Sequence, residues 1–194
     1  DLAALQAMIE EIDRLGQTHA FDVFVLSDTT DSNIWVAEER TFLALRDRLQ
    51  SPLHVYYRHR PRNIGRKSGN IEDFVTRWGG AYPFMLVLDA DSVMSGDCII
   101  GLAHAMEHDP DAGIIQSLPL ITNRNTFFAR LQQFAARIYG PVIATGLALW
   151  SGREGNYWGH NAIIRTKAFA DHAGLPVLSG KPPFGGHILS HDFV

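Results

Sequence analysis

A single cysteine, Cys98, stands among 194 residues. It forms no disulfide within the chain, so the reading is a protein of a reducing compartment with Cys98 as a small core residue. Basic excess is missing too: the net charge is -4 and the pI about 6.1. That argues against nucleic acid as the main partner, since a binder needs a basic face to neutralise phosphates. No run reaches the 18 or more apolar residues of a membrane span. The longest candidate, Ile138 to Trp150, is interrupted by Gly140-Pro141, and a buried helix is expected there in preference to an interfacial one. There is no G-x-x-x-x-G-K-[ST] phosphate loop, internal repeat or low-complexity tract. The chain opens on Asp1 without a basic-then-apolar leader and ends on His191-Asp192-Phe193-Val194. The expectation is one domain, residues 1–194, cut from a longer protein.

What is present is a 46% hydrophobic, globular composition. Leu2, Leu5, Ile9, Ile12 and Leu15 recur at helical spacing, with Gly16 placed to end that helix. Phe21 to Leu26 reads as a strand, Ile34 to Leu49 as a helix, and Leu53 to Tyr57 as a second strand. A short helix, Ile71 to Trp78, stops at Gly79-Gly80. Phe84 to Leu88 is a third strand, followed by a helix from Cys98 to His108. Strand Gly113 to Gln116, helix Phe127 to Tyr139, strand Tyr157 to Ile164 and helix Lys167 to His172 complete the series. Leu178 to Gly186 is a Gly/Pro-rich loop. Strands that are apolar throughout and alternate with helices predict an α/β fold: a mostly parallel central sheet with helices on both faces. Ligands then gather at the carboxyl ends of the strands.

Those ends carry acids. Phe84-Met85-Leu86-Val87-Leu88 runs into Asp89-Ala90-Asp91. Two neighbouring carboxylates repel one another and are costly to desolvate unless a cation compensates. Hard oxygen ligands suit Mg²⁺ or Mn²⁺, and Mg²⁺ is commonly shared between one or two carboxylates and a diphosphate. The alternative is a solvated turn. Asp28 closes the first strand, either as an acceptor for a base or ribose or as a turn residue; for Asp31 a helix cap is favoured. Arg58-His59-Arg60-Pro61-Arg62 and Arg66-Lys67-Ser68-Gly69-Asn70 form the one basic cluster. It suits a phosphate, although for the individual arginines a solvated, flexible loop is favoured. His187 and His191 are spaced like a helical metal pair but lack a third ligand. Trp150, Tyr157 and Trp158 could stack on sugar faces or simply pack.

Taken in order, S-D, G-R-K-S-G-N, D-A-D, Q-S-L-P, W-G-H-N-A-I-I-R and S-H-D resemble the inverting family 2 glycosyltransferases of GT-A (Rossmann-like) fold. The resemblance runs from about Phe21 to Val194. F-V-L-S-D-T-T-D, G-R-K-S-G-N-I-E-D-F and G-H-I-L-S-H-D-F-V are closest to the bacterial enzymes that build osmoregulated periplasmic glucans. It implies UDP-glucose as donor, a growing β-glucan as acceptor, and Mg²⁺ or Mn²⁺ as cofactor. It also implies donor-site roles for Asp28, Lys67, Asp89 and Asp91, with Asp91 and Asp89 on the metal. Gln116, Trp158, His160 and Asn161 fall at the acceptor side, and Asp192 at the general base. The family's T-E-D is Ser190-His191-Asp192 here, which leaves the role of His191 open. The full protein is expected to be membrane-integral, with this segment at the cytoplasmic face of the bacterial inner membrane. The family's first strand and its later Q-x-x-R-W motif have no counterpart in the chain. Alternatives are another β-glucan synthase such as one for cellulose, a nucleotidyltransferase, and a nucleotide-sugar-binding domain without turnover.

Overall fold

The computed structural model describes residues 2–123, 125–174, 177–181 and 185–186. Among the described residues five strands and six α-helices alternate. Helix α1 (Leu2–Arg14) leads into β1 (Asp22–Ser27), α2 (Ser32–Arg48), β2 (His54–His59) and α3 (Arg66–Trp78). Then come β3 (Phe84–Val87), α4 (Gly96–His108), β4 (Ile114–Gln116), α5 (Phe127–Ser151), β5 (Ala162–Arg165) and α6 (Thr166–His172).

Strands β1 and β2 pair in parallel, from Asp22 opposite His54 to Ser27 opposite His59. Strand β5 lies between β3 and β4 and runs antiparallel to both. The α/β class therefore stands, but the expected single, mostly parallel sheet is divided among the described residues: β1 and β2 form a parallel pair, and β3, β5 and β4 a separate antiparallel sheet because β5 runs in reverse between the other two. The reversal matters for function, because it puts the start of β5 beside the ends of β3 and β4. Ala162 faces both Val87 and Gln116.

Both sheet faces are covered, which is why the strands lack polar alternation. Val23, Val55, Phe84, Leu86 and Ile163 pack with Met8, Ile9 and Ile12 of α1 and Ile99, Leu102 and Met106 of α4. Met85, Val87 and Ile164 point the other way, toward Ile71 and Val75 of α3 and Phe169 of α6. Phe24 stacks on Tyr56 at 4.8 Å and meets Phe74 edge-on at 4.8 Å, fixing α3 under the first two strands. Cys98 is free, half-buried and packed against the first cluster.

The helix ends follow local chemistry. Gly16 takes φ +71° and closes α1. Asp31 caps α2 by accepting from Asn33 and Ile34 N–H, as its sequence position indicated. Arg165 staples β5 to the end of α4, donating to the carbonyls of Met106, Asp109 and Ala112.

Three expectations need correction. Helix α3 begins at Arg66 rather than Ile71, so the G-R-K-S-G-N segment is a helix start and not a flexible loop. Residues 157–161 form a loop before β5, whereas a strand was expected from Tyr157. The segment Ile138 to Trp150, expected to be buried, lies in one 25-residue helix that runs through Pro141 and has no buried residue.

Candidate active site

Asp28 follows directly on β1. Arg60, just past β2, grips it: Nε donates to Oδ1 at 2.9 Å and Nη2 to Oδ2 at 2.6 Å. Arg58 Nη1 lies 3.7 Å from Asp28 Oδ1, and its Nε 3.6 Å from Asp73. The side chains of Asp28, Arg58 and Arg60 are only 12–14% exposed. The arginines are thus internal partners of a strand-end acid, contrary to the expected solvated loop. Burial pushes the Arg58 guanidinium below its ordinary value, while Asp73 and Asp28 oppose that shift. Arg58 also donates to the Asn70 carbonyl at 2.9 Å, and Asn70 Nδ2 to the Leu26 carbonyl at 3.2 Å.

Turn geometry places Lys67. Gly65 and Arg66 both have positive φ, +70° and +49°, which turns the chain sharply into α3. Gly69 lies so close to the preceding loop that a Cβ there would sit 2.1 Å from the Ile64 carbonyl oxygen. Only glycine fits. At the second position of α3, Lys67 Nζ contacts Asp89 Oδ1 and donates to the Gly159 carbonyl at 3.1 Å. The lysine supplies the cation that Asp89 needs and ties the β3 end to the loop before β5. Asp91 is exposed and makes no hydrogen bond or ion pair among the described residues. A cleft of about 470 Å³ opens between Leu26, Asp28, Asn63, Arg66, Lys67 and Asn70.

The loop 156–161 is held from below by β4. Gln116 Nε2 donates to the Asn156 carbonyl at 2.7 Å, and its Oε1 accepts from Trp158 N–H at 3.0 Å. Asn161, at φ +54°, donates its N–H to the Val87 carbonyl and accepts from Ser117 N–H. Asn161 Oδ1 and His160 Nδ1 are buried and have no hydrogen-bond partner among the described residues. Both are polar atoms with capacity to spare for a ligand hydroxyl.

Lys67 thus links the Asp28 cleft to Asp89 and to the loop before β5, and Gln116 holds that loop, which carries Trp158, His160 and Asn161. Ser190, His191 and Asp192, together with His187, lie outside the described residues. Among the described residues no group of three His, Cys, Asp or Glu side chains could hold a metal by itself. An exposed Asp91 beside a lysine-compensated Asp89 does fit a cation shared with a diphosphate, which needs no third protein carboxylate. Reading the basic cluster as solvent-facing missed Arg58 and Arg60. Their signal was alternation: two arginines two residues apart at the end of a strand parallel to β1 point to the same side.

Residues 84–193 match the family described as "Glycosyl transferase family group 2". The chain belongs to that family. Curated relatives in this family align along essentially its whole length. A protein of Xylella fastidiosa (strain 9a5c) is 60% identical over 193 residues, covering 100% of this chain and 30% of the relative. One of Shewanella sp. (strain ANA-3) is 59% identical over 192 residues, covering 99% and 26%. One of Xanthomonas euvesicatoria pv. vesicatoria (strain 85-10) is 58% identical over 193 residues, covering 100% and 30%. All three are named "Glucans biosynthesis glucosyltransferase H". The chain thus spans less than a third of the length of these relatives.

Proposed function

We propose that the chain forms the donor- and acceptor-binding part of an inverting glucosyltransferase that extends a β-glucan, the backbone of osmoregulated periplasmic glucans, from UDP-glucose. The observation that carries this reading is a cleft lined by Asp28 and Lys67, whose lysine also contacts Asp89 of the D-A-D turn. The names of the relatives support its coarser part, glucosyl transfer in glucan biosynthesis.

Asp28, fixed by Arg60, would accept from the uridine, and Lys67 with the α3 start would attract the diphosphate. Asp91, with Asp89 nearby, would hold Mg²⁺ or Mn²⁺, which supplies charge stabilisation for the departing diphosphate. The 158–161 loop, with His160 and Asn161, would position the glucan hydroxyl. Asp192 would take its proton as general base. One in-line displacement converts the α-linked donor into a β-linked product. The whole protein would be membrane-integral, with this segment on the cytoplasmic face of the inner membrane.

The test is transfer from radiolabelled UDP-glucose by the full-length protein. Asp192→Asn should abolish glucan formation yet keep UDP binding. A nucleotidyltransferase would not need Asp192, so product formed at the normal rate by Asp192→Asn would refute this reading.

A further inference from the structure

The strand ends that present Asp28 have a second side. Side chains alternate along a strand, so Leu26 and Asp28 share one side with Arg58 and Arg60, while Ser27 lies on the other with Tyr57 and His59. The first side opens on the cleft. The second packs against α2, where Tyr57 meets Phe42 at 5.3 Å.

On that second side a chain of hydrogen bonds runs from α2 to both neighbours of Asp28. Glu38 Oε2 accepts from Ser27 Oγ at 2.6 Å and from Tyr57 Oη at 3.3 Å. Ser27 Oγ, its own hydrogen given to Glu38, accepts from Thr29 N–H at 3.4 Å. His59 Nε2 lies 2.8 Å from the Thr29 carbonyl oxygen, which can only accept, so Nε2 carries the hydrogen. The imidazole lies flat on the Trp35 indole, ring centroids 4.2 Å apart and planes 11° apart. That stacking fixes where the N–H points. Arg60 N–H donates to the Ser27 carbonyl at 3.0 Å. Asp28 is thus held through its own carboxylate by Arg60 and through its neighbours by His59 and Glu38.

Packing does not explain this arrangement. Glu38 is the one residue of 31–40 that is not exposed, while Ile34 and Val36 face outward. Helix α2 turns a carboxylate inward where an apolar side chain would ordinarily sit. Neither Glu38 nor His59 lines the cleft, so their effect on a ligand passes through Asp28.

We propose that His59 and Glu38 are positioning residues for the nucleoside part of the donor, fixing residues 27–29 so that Asp28 meets the uridine in one orientation. The inference rests on the reading of Asp28 as the uridine contact. The test is inhibition of the full-length transferase by UDP and by inorganic diphosphate, with the KM for UDP-glucose. His59→Leu removes the donor to Thr29. It should weaken UDP roughly fivefold, the scale of one hydrogen bond. The KM should rise alike, with kcat and inhibition by diphosphate unchanged. His59→Gln places an amide N–H where Nε2 stood and should restore most of the loss. Glu38→Leu should act as His59→Leu does, whereas Glu38→Gln, which keeps an acceptor for Ser27, should not. On an Asp28→Ala background His59→Leu should have no further effect. Unchanged UDP inhibition in both His59→Leu and Glu38→Leu would overturn the proposal. So would equal weakening of UDP and diphosphate, which makes both residues general supports of the fold, or losses that add to that of Asp28→Ala. A native protein that UDP does not inhibit would refute the donor-site reading itself, and this proposal with it.

Discussion

The Arg60 guanidinium holds both carboxylate oxygens of Asp28, at 2.9 and 2.6 Å, from the end of the strand parallel to the one Asp28 terminates. The pair is almost closed to solvent, so its two partners are not interchangeable with water. Arg60→Ala leaves a largely buried carboxylate facing Arg58 alone, and should cost about 1–3 kcal/mol. Arg60→Lys keeps the charge and loses the fork, so it should recover only part of that loss. Chemical denaturation of the three proteins checks the order.

Lys67 and Asp89 form a different kind of pair. Their side chains are 38% and 37% exposed, and an ion pair that open to solvent contributes little to stability. Lys67→Ala should therefore leave the melting temperature nearly unchanged but weaken UDP binding about tenfold, the scale of one charge-assisted contact. Thermal melting and UDP titration of the same variant separate the two effects.

Gly69→Ala should be disruptive far beyond its size. The added methyl collides with the Ile64 backbone oxygen, which belongs to the turn that starts α3. The turn must open, displacing Lys67. We expect a loss of about 2 kcal/mol or more together with loss of UDP binding, whereas Gly101→Ala, where a Cβ meets nothing within 4 Å, should be neutral or stabilising.

Tyr82 reports on the fold at high pH. Burial, and then its hydrogen bond to Asp22 at 2.7 Å, pushes its phenol up to about 12 from an ordinary 10.0. The folded state holds the proton more tightly than the unfolded one. The stability from this group is complete below the unfolded value and is lost as pH rises through about 12. Melting curves across that window should fall more steeply for the native chain than for Tyr82→Phe.

Much of this was legible in the chain. Apolar strands alternating with helices gave the α/β class, because burial on both faces removes the polar alternation. Asp28, Asp89 and Asp91 could be placed because each follows an apolar strand. Three things were hidden. The direction of β5 depends on pairing between residues about eighty apart in sequence, Met85 with Ile164 for example. The start of α3 was masked by Gly69, which reads as a helix breaker but is required by close packing against Ile64. Helix α5 looked like core because hydrophobicity says that a surface must be covered without saying by what.

In the proposed donor site, the D-A-D turn and the Asp28–Lys67 cleft would bind a nucleoside diphosphate through a shared cation. Calorimetric titration of UDP with Mg²⁺ or Mn²⁺, with chelator, and on Asp91→Ala tests it most directly. Binding should be metal-dependent, fall roughly tenfold or more both with chelator and in Asp91→Ala, and persist in Asp31→Ser, a helix cap away from the cleft. Binding that ignores both chelator and Asp91→Ala, or a folded chain that binds no UDP, would contradict it.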